Sequence, residues 1–590
     1  MDTAVSVAPA AVNAARDSKA TRTRWNLTVV AGSALLIAVL GYLTRWICDD
    51  ALIFTRAVEQ ILAGNGPVYQ IGERAETSTS ALWQWLLALA GFLFGQPDTS
   101  TISWVLGLVL TAVGFGLAVD AARRLHSRRH ATVLLPCGVL VLLGLRPVWE
   151  YATSGLETGL NTFWMAASWW LLVRLRERGS TKALLFAAFT IGLGPLVRPD
   201  QALVAAVFLA ALWLTVRPGW RLTLGAVGTA ATLPVAYEIF RMGFYGIVVP
   251  MPALTKNAGE SMWPRGFAYV ADFAGPYLLW LPLAVVMFVF AGLLHRLGGR
   301  RTDLMVALAP VVAGALHLAY VVKVGGDYMH ARMALPALFL ILLPVLVVSR
   351  SKNAGVAVVV VVVWASLCAG LCRYPAVDGS VHGIDDERAY YVAWTGSSHP
   401  TDSATYVQQL QRLKNVVTAE AVSGHRALIY HGLGPGNDII TTPMRTGIAE
   451  KAMVVGVYLG TAGMLAPTDV GIVDFWGLAN PIGARFEFPT VKPGHSKPLG
   501  NAWLLADYAA PAAPPHPSGN FAVSGTVTSE QVIAARHALS CGDLAEIQQS
   551  AREPLTFKRF WDNLTGAWHR TRVTIPPDPF EAERKFCGRP

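Results

Sequence analysis

Two adjacent acidic residues, Asp49 and Asp50, lie at the outer end of the first long apolar run of the chain. They follow the apolar residues 35–43 and come directly after Trp46-Ile-Cys. Ionised carboxylates are costly to keep dry at a membrane boundary, so the pair is expected in a wet cavity, where it serves chemistry or binds a cation or a sugar. The alternative is a solvated loop beyond a helix end, in which an Asp simply caps the next helix.

The apolar residues after this pair, Ile53, Phe54, Ala57 and Ile61, follow a helical period. The pattern predicts a helix that lies on the membrane surface and carries the acids at its start. An acid in that place acts on a substrate while the lipid tail of the substrate stays in the bilayer.

Further charged residues occupy the stretches between later apolar runs. We take as candidate substrate-binding residues those that fall on the same side of the membrane as the acid pair: Arg56, Glu73, Glu157, Arg198, Asp200, Lys256, Asp327, His330 and Arg332. Cations are disfavoured on the outer side by the positive-inside rule, so those in this set predict an anionic partner. Arg suits a phosphate through two parallel hydrogen bonds, and Lys supplies a point charge. The alternative is internal pairing, of Arg198 with Asp200 and of Lys323 or Arg332 with Asp327.

The composition predicts a polytopic α-helical membrane protein. Hydrophobic residues make up 53% of the 590 residues and charged residues only 15%, which a soluble fold does not show. The net charge of +10 arises from basic residues in short loops between apolar runs, where the positive-inside rule needs them, so nucleic-acid binding is not supported. Residues 1–26 are predicted to be a cytoplasmic tail, because the run that follows is too long for a signal-peptide core.

Charge also decides the topology. The sequence contains twelve apolar segments, near 27–45, 81–95, 101–120, 132–146, 159–175, 183–197, 200–216, 221–240, 275–295, 304–322, 332–348 and 354–372. If all twelve crossed, the loop with Arg123, Arg124, Arg128 and Arg129 would lie outside, against the positive-inside rule. Segment 81–95 is short and ends at Gly-Gln-Pro, so we interpret it as re-entrant or interfacial. Eleven transmembrane helices remain within a catalytic domain at 27–372.

The composition changes after about residue 372. Apolar runs of strand length alternate with helical stretches, and Pro and Gly separate them: the strand candidates are Ala427–Tyr430, Met453–Tyr458 and Val470–Phe475, and the helical ones are Ser403–Val417 and Ser529–Ser540. Residues 373–590 are therefore predicted to form one soluble α/β or α+β domain on the periplasmic side. Cys541 and Cys587 fall in it, and that compartment permits a disulfide. No His or Cys spacing resembles a zinc site.

Several motifs in a fixed order carry a family resemblance. They are Asp49-Asp50, Gly64-Asn-Gly-Pro-Val-Tyr69, Gly72-Glu-Arg-Ala-Glu76, Ser154-Gly-Leu-Glu-Thr158, Arg198-Pro-Asp200 and Gly325-Gly-Asp-Tyr-Met329. The chain resembles the GT-C superfamily of polyprenyl-phosphate-dependent glycosyltransferases, and within it the terminal β-(1→2) arabinofuranosyltransferases of mycobacterial-type cell envelopes. The resemblance implies decaprenyl-phosphoryl arabinofuranose as donor. It also implies the non-reducing ends of arabinan, in arabinogalactan and lipoarabinomannan, as acceptor.

The resemblance further implies transfer on the periplasmic face of the plasma membrane, with Asp49 and Asp50 as the catalytic pair. Such a transfer needs a carboxylate that activates the acceptor hydroxyl and a cation that holds the departing phosphate. Asp49 or Asp50 is the base, and Arg198, Lys256 and Arg332 are the candidates for the phosphate. A retaining or an inverting course stays open, as does a divalent cation, which an Asp-Asp pair can bind.

Three other functions compete with this one. A secondary transporter would show internal repeats and broken spans at the membrane midplane, and neither is clear here. A non-catalytic envelope protein is the second alternative, because fold does not fix function. A related lipid-linked mannosyl- or pentosyltransferase is the third, and the linkage of the product distinguishes it from the leading hypothesis.

Overall fold

The computed structural model describes residues 8–588, apart from 96–97, 127–132, 178, 258, 371–382, 432–438, 457, 490–492, 495 and 512–526, with side chains from residue 21 onwards. Arg128, Arg129 and the predicted domain boundary after residue 372 lie outside the described residues. The helices up to residue 370 are α1 (Ala8–Leu43), α2 (Asp49–Leu62), α3 (Ala81–Leu93), α4 (Thr99–His126), α5 (Gly138–Leu143), α6 (Arg146–Glu150), α7 (Thr158–Glu177), α8 (Thr181–Gly192), α9 (Gly194–Val197), α10 (Gln201–Val216), α11 (Trp220–Tyr245), α12 (Met251–Thr255), α13 (Trp263–Ala274), α14 (Trp280–Leu297), α15 (Arg301–Lys323), α16 (Leu335–Leu342) and α17 (Lys352–Gly370).

Long apolar runs form helices here because a backbone in lipid has to satisfy its hydrogen bonds internally. Six helices of the described residues are long and apolar enough to cross a membrane by length and composition: α1 from Thr21 onwards, α4, α11, α14, α15 and α17. Shorter apolar helices lie at the predicted spans 183–197, 200–216 and 332–348. The protein is therefore polytopic, and the number of eleven spans stays a prediction. Helix α3 has only 13 residues, in keeping with its exclusion from the spans.

Segment 132–146, predicted as one span, is not a continuous helix. A short strand, β1 (Leu134–Pro136), pairs antiparallel with β2 (Val347–Ser349), and the six-residue α5 follows it. Pro136 lacks the N–H that a helix through this point would need. Hydropathy alone could not reveal this interruption, because the strand partner lies about 210 residues away.

The basic helix ends meet on one face of the membrane part. Arg124 at the end of α4 lies 3.2 Å from Glu177 at the end of α7. Arg176 on the same helix lies 3.2 Å from Asp303 at the start of α15. The grouping agrees with the predicted sidedness, in which these ends face the cytoplasm. The acid pair of α2 lies beyond the opposite ends of the spans.

After residue 382, a mixed sheet with helices forms the core of the C-terminal part. Its elements are α18 (Glu387–Thr395), α19 (Ser403–Val407), α20 (Gln411–Ser423), β3 (Ala427–His431), β4 (Ile439–Pro443), β5 (Met453–Gly456), α21 (Leu459–Leu465), β6 (Gly471–Asp474), α22 (Asn501–Tyr508), α23 (Ser529–Ala538), α24 (Gly542–Arg552), α25 (Phe557–Arg572) and α26 (Pro579–Cys587). The strand order is β4-β3-β5-β6. β4 runs antiparallel to β3, whereas β3, β5 and β6 are parallel. The three predicted strands and both predicted helical stretches are present.

Two further features hold this C-terminal part in place. A disulfide, which the sequence left open, joins Cys541 to Cys587 and so links the start of α24 to the end of α26. Helix α21, between β5 and β6, packs along α2 of the first outer loop. Residues 51–58 of α2 are all buried, so this helix is covered by protein and does not lie bare on the membrane surface as its sequence pattern predicted.

Candidate active site

An open cavity of about 1140 Å³, counting its mouth, lies where the outer ends of the membrane helices meet the C-terminal part. Six of the predicted site residues line it: Asp50, Arg198, Asp200, Lys256, Asp327 and Arg332. They come from α2, the turn between α9 and α10, the residue after α12, and the loop between α15 and α16. Leu478 and Pro493 add a wall from the C-terminal part. The fold thus brings together charges that lie up to 282 residues apart.

Asp50 is the acid of the pair that faces this cavity. It occupies the first turn of α2, where the partial positive charge of a helix N-terminus favours an ionised carboxylate. The Tyr328 hydroxyl donates to its Oδ2 at 3.2 Å, and Nη1 of Arg332 lies 4.0 Å from the same oxygen. Its side chain is 24% exposed. Asp50 is therefore accessible to a substrate and held in one orientation.

Asp49 points the other way and does not line the cavity. Its carboxylate accepts hydrogen bonds from the backbone N–H of Gly460 at 2.9 Å and of Thr461 at 2.7 Å, and from the Thr461 hydroxyl at 2.6 Å. Burial raises the pKa of Asp49 to about 6, although these hydrogen bonds oppose the shift. The structure thus gives the two adjacent acids different surroundings, and Asp49 fixes the start of α2 to the start of α21.

A buried charge network forms the floor of the cavity. Arg198 binds Asp200 at 2.9 Å and is in contact with Glu157. Arg332 lies 3.4 Å from Asp327 and 3.5 Å from the same Glu157. Burial alone would raise the pKa of Glu157, but the two guanidinium groups bring it below its usual value. The internal pairing considered from the sequence is therefore present for both arginines, and their charges are already compensated.

Lys256 is different from these arginines. It follows α12, is half-buried and lines the cavity, and no carboxylate of the described residues lies within 4.0 Å of its ammonium group. The ammonium group lies 5.9 Å from the centre of the Tyr328 ring. The hydroxyl of the same tyrosine donates to Asp50. Thr255 fixes the end of α12 by donating to the carbonyl oxygen of Gly477 at 2.6 Å. Lys256 is thus a positioned cation with room for an anionic group.

Two more predicted residues, Arg56 and Glu73, lie outside the cavity lining and join the first outer loop to the C-terminal part. Arg56 donates to the carbonyl oxygens that follow α21, those of Ala466, Pro467 and Val470, at 2.8 to 2.9 Å. Glu73 is 3% exposed and pairs with Arg552 at 2.8 Å. Burial raises the pKa of Glu73 to about 7. Arg56 and Glu73 therefore make structural contacts. The sequence around them does not reveal this, because the residues that they bind belong to the distant C-terminal part.

His330 also lies outside the cavity lining. Its Nδ1 is 2.7 Å from Asp272, on α13, and its Nε2 is 3.3 Å from the hydroxyl of Tyr277. The Tyr151 hydroxyl donates to its carbonyl oxygen at 3.0 Å. These contacts fix the loop between α15 and α16 to α13 and to the residues that follow α6 and α13. His330 therefore helps to position Asp327 and Arg332, which lie in the same loop.

Sequence reasoning missed His317. It is completely buried in α15 and binds Asp200 at 2.9 Å, so it extends the charge network towards the membrane interior. The signal for it was present, because a lone ionisable residue in an apolar helix is a functional candidate by default. Tyr328 was noticed only as part of a motif, and its contact with Asp50 depends on a loop 278 residues further along the chain.

A second missed residue, Glu387, comes from the first helix after the last membrane span. Two backbone hydrogen bonds, Asp385 N–H to Tyr328 at 2.7 Å and His330 N–H to Asp385 at 3.0 Å, fix the preceding segment to the cavity loop. On the other side Arg388 donates to the Thr44 carbonyl oxygen at 2.8 Å. Oε2 of Glu387 is buried and has no hydrogen-bond partner among the described residues. Burial raises the pKa of Glu387 well above its usual value, and nearby Asp50 adds to the shift.

The described residues offer little to a metal ion. The one group of three ligand-type side chains close enough to share an ion is His537, Cys541 and Cys587, and its two cysteines are bonded to each other. The carboxylates around the cavity are engaged by arginines instead. A divalent cation therefore stays an open expectation that this geometry does not test.

Comparison with known proteins gives one family. The profile of the AftB family C-terminal domain matches residues 441–583. A terminal beta-(1->2)-arabinofuranosyltransferase of Corynebacterium glutamicum is 34% identical over 611 aligned residues, which cover 93% of this chain and 86% of the relative. One of the same description from Mycobacterium tuberculosis is 33% identical over 619 aligned residues, covering 95% of this chain and 96% of the relative. No solved structure gives a significant match.

Proposed function

The chain belongs to the terminal beta-(1->2)-arabinofuranosyltransferase family, and from that membership we propose the reaction that its cavity carries out. It is a membrane glycosyltransferase that moves an arabinofuranosyl residue onto arabinan of the mycobacterial-type cell wall. We assign decaprenyl-phosphoryl arabinofuranose as the donor. The acceptor is the non-reducing end of arabinan in arabinogalactan and lipoarabinomannan. The reaction takes place on the periplasmic face of the plasma membrane.

The observation that carries this proposal is the pairing, across Tyr328, of an accessible carboxylate with a cation that no carboxylate of the described residues compensates. Lys256 lies over the ring of Tyr328, and the hydroxyl of that tyrosine donates to Asp50. A sugar phosphate needs this arrangement, with a cation at the phosphate and a carboxylate at the reacting sugar. Arg198 and Arg332 have a structural role in the cavity wall instead, because Glu157, Asp200 and Asp327 neutralise their charges.

An apolar groove beside the cavity supports a lipid-linked donor. It encloses about 930 Å³ between α8, α10 and α11, and apolar side chains form almost all of its lining. Gly192 and Pro195 line it and belong to the segment that leads directly to Arg198 in the cavity. A polyprenyl chain in this groove stays at the hydrocarbon depth that such a chain prefers, and its phosphate enters the cavity that Lys256 lines.

In the proposed reaction, the bond from the anomeric carbon of the donor to the phosphate oxygen breaks, and a bond from that carbon to the acceptor oxygen replaces it. Asp50 takes the proton of the acceptor hydroxyl, and Lys256 stabilises the phosphate that leaves. A β-linked donor that gives a β-linked product requires overall retention, which one direct displacement does not provide. Retention then uses a front-face route or a covalent intermediate. Asp327, which is linked to Asp50 through Arg332, is the second carboxylate available as the nucleophile of such an intermediate.

Reconstituted protein tests the proposal directly. Purified full-length chain in proteoliposomes is supplied with synthetic decaprenyl-phosphoryl arabinofuranose and an α-linked arabinan oligosaccharide. We expect a product extended by one residue in a β-(1→2) linkage, identified by linkage analysis and NMR of the anomeric proton. A product with another pentose linkage, or transfer only from a mannosyl donor, would overturn the assignment. An EDTA titration of the same assay decides whether a divalent cation takes part.

Replacing Lys256 by Ala is expected to raise the KM for the donor roughly 10- to 100-fold, the range of a lost hydrogen bond to a charged group. The KM for a neutral arabinan oligosaccharide should stay nearly unchanged, because arabinan carries no phosphate. Lys323→Ala is the matched control, since Lys323 is an exposed lysine on the same face that does not line the cavity. Equal changes in both KM values would remove Lys256 from the phosphate site.

Glu387 gives a prediction on the pH dependence of stability. Its pKa is higher in the folded protein than its usual value, mainly through burial and also through Asp50, Asp49 and Asp327, while Arg332 opposes the shift. The folded state therefore holds this proton more tightly than the unfolded state does. The resulting stabilisation is complete below about pH 4.5 and is lost as the pH rises through the folded pKa, by at most about 1.4 kcal/mol per pH unit.

Glu387→Gln should remove this part of the pH dependence, because an amide keeps the shape and cannot ionise. Melting temperatures of the wild type and of the variant in detergent, measured from pH 5 to 9, are the test. We expect the variant to gain stability over the wild type towards alkaline pH. Parallel curves would show that Glu387 titrates alike in the folded and unfolded chains.

A further inference from the structure

Helix α25 presents a row of large apolar side chains to the outside of the C-terminal part. Phe557, Trp561 and Trp568 are 84%, 56% and 61% exposed, and Leu564 lies between them, half-buried. The spacing of i, i+4, i+7 and i+11 places all four on one face of the helix. The opposite face, with Asn563, Ala567 and Arg570, is buried. Contiguous exposed aromatic side chains of this kind mark an interaction surface.

The location of α25 indicates what covers this surface. The ring of Phe560 packs directly against the backbone of Gly243, near the outer end of the membrane helix α11. At the far end of α25, Arg570 donates to the Gly246 carbonyl oxygen at 3.2 Å, and the Thr571 hydroxyl accepts from the N–H of Val248 at 3.0 Å. The helix is thus fixed along its length to the point where α11 leaves the bilayer.

The surface of α11 supports the same conclusion. Large apolar side chains remain exposed along this helix up to that outer end: Trp220, Leu224, Val227, Leu233, Val235 and Ile239. In a membrane, hydrocarbon covers such side chains. Phe560 of α25 contacts Gly243, four residues after Ile239, the last exposed large apolar residue of α11. The aromatic row therefore starts close to the end of the apolar surface of α11. Trp is also a residue that prefers the boundary between hydrocarbon and headgroups.

We propose that α25 is an interfacial helix that inserts its Phe557–Trp561–Leu564–Trp568 face into the outer leaflet of the membrane and thereby anchors the C-terminal part to the bilayer. Polar and charged residues flank this face, as such a helix requires. Arg572 lies over the ring of Trp568 at 5.2 Å, and Lys558 is 88% exposed and pairs with Asp562 at 3.3 Å. Both can reach headgroups while the rings lie deeper. The anchor complements the contacts of α2 with α21 and holds the cavity at a constant depth.

Depth measurement by spin labelling tests the inference on the full-length chain. Among the described cysteines, Cys48, Cys137 and Cys368 are buried thiols, so a Cys372→Ser background leaves few accessible thiols for the label. A nitroxide is attached in Trp561→Cys and, separately, in Phe557→Cys. Two reference positions bracket them. Val359→Cys, in the middle of α17 and 62% exposed, reports the hydrocarbon, and His425→Cys, in the polar turn after α20, reports water.

In proteoliposomes we expect labels at 557 and 561 to collide several-fold more often with oxygen than with a water-soluble nickel chelate, relative to the label at 425. They should approach the ratio at 359. A ratio equal to that at 425 would overturn the proposal, because the row would then face water. Protection from both reagents would also overturn it, since protein would then cover the row, whether a second copy of this chain or another partner. Unchanged melting temperatures of the labelled variants confirm that folding is intact.

Discussion

Asp50→Asn should reduce arabinofuranosyl transfer at least ~100-fold, the usual scale for the loss of a general base. Asp50 is the acid of the pair that lines the cavity, and Tyr328 and Arg332 hold its Oδ2. Asn keeps the size of the side chain, so the melting temperature should change little. The measurement is kcat and KM for both substrates in proteoliposomes, beside a thermal melt.

Asp49→Asn is the matched control, one residue away and with the same change of chemistry. Here the loss should fall on stability, because an amide nitrogen cannot accept the backbone N–H groups of Gly460 and Thr461 as a carboxylate does. A hydrogen bond to a charged group contributes about 1.5–3 kcal/mol. An active Asp50→Asn enzyme, or an inactive Asp49→Asn enzyme with a normal melt, would reverse the roles proposed for the two acids.

Arg332→Met is expected to lower the free energy of unfolding by about 3–5 kcal/mol, the range measured when one partner of a buried ion pair is removed. Met fills a similar volume, so the loss is mainly electrostatic. Asp327 and Glu157 would remain close to each other without their shared cation. Transfer should fall as well, because Asp50 loses the guanidinium 4.0 Å from its Oδ2.

Arg45→Met provides the comparison for this variant. Arg45 donates to the carbonyl oxygen of Tyr42 at 2.9 Å and forms no ion pair among the described residues, so its loss should lie within about 0.5 kcal/mol. Chemical denaturation in one detergent, followed by near-UV circular dichroism, measures both variants. Equal stability of the two would mean that Arg198 and water, and not Arg332, compensate Glu157 and Asp327.

The acid pair at the start of a helix was predictable from sequence, because an apolar period of 3.6 residues begins directly after it. Which of the two acids faces the cavity was not predictable. That choice depends on Gly460 and Thr461, whose N–H groups hold Asp49. The position of Arg56 was not predictable for a similar reason, because its guanidinium group donates to the carbonyl oxygens of Ala466 and Pro467, just after α21.

The pairing of the cavity cations shows a similar limit. Sequence placed Arg198 near Asp200 because the two are neighbours, but Glu157, which binds Arg198 as well, comes from a separate helix start. Lys256 could be chosen as the phosphate-binding residue only after the other cations had been matched to their carboxylates. The strand lengths after residue 427 were predictable, since apolar runs of four to five residues separated by Gly and Pro rarely form anything else.

The contact between Asp49 and α21 also sets the order in which a working enzyme comes into being. The two partners are separated by 411 residues, which a ribosome adding about 5–20 residues per second takes roughly 20–80 s to make. During that interval the helix of the acid pair exists without the groups that hold it. A nascent chain halted just after α17 would contain all six of the long apolar helices of the described residues, but its cavity would be incomplete. The cavity is therefore not complete before the chain has been made at least as far as Thr461.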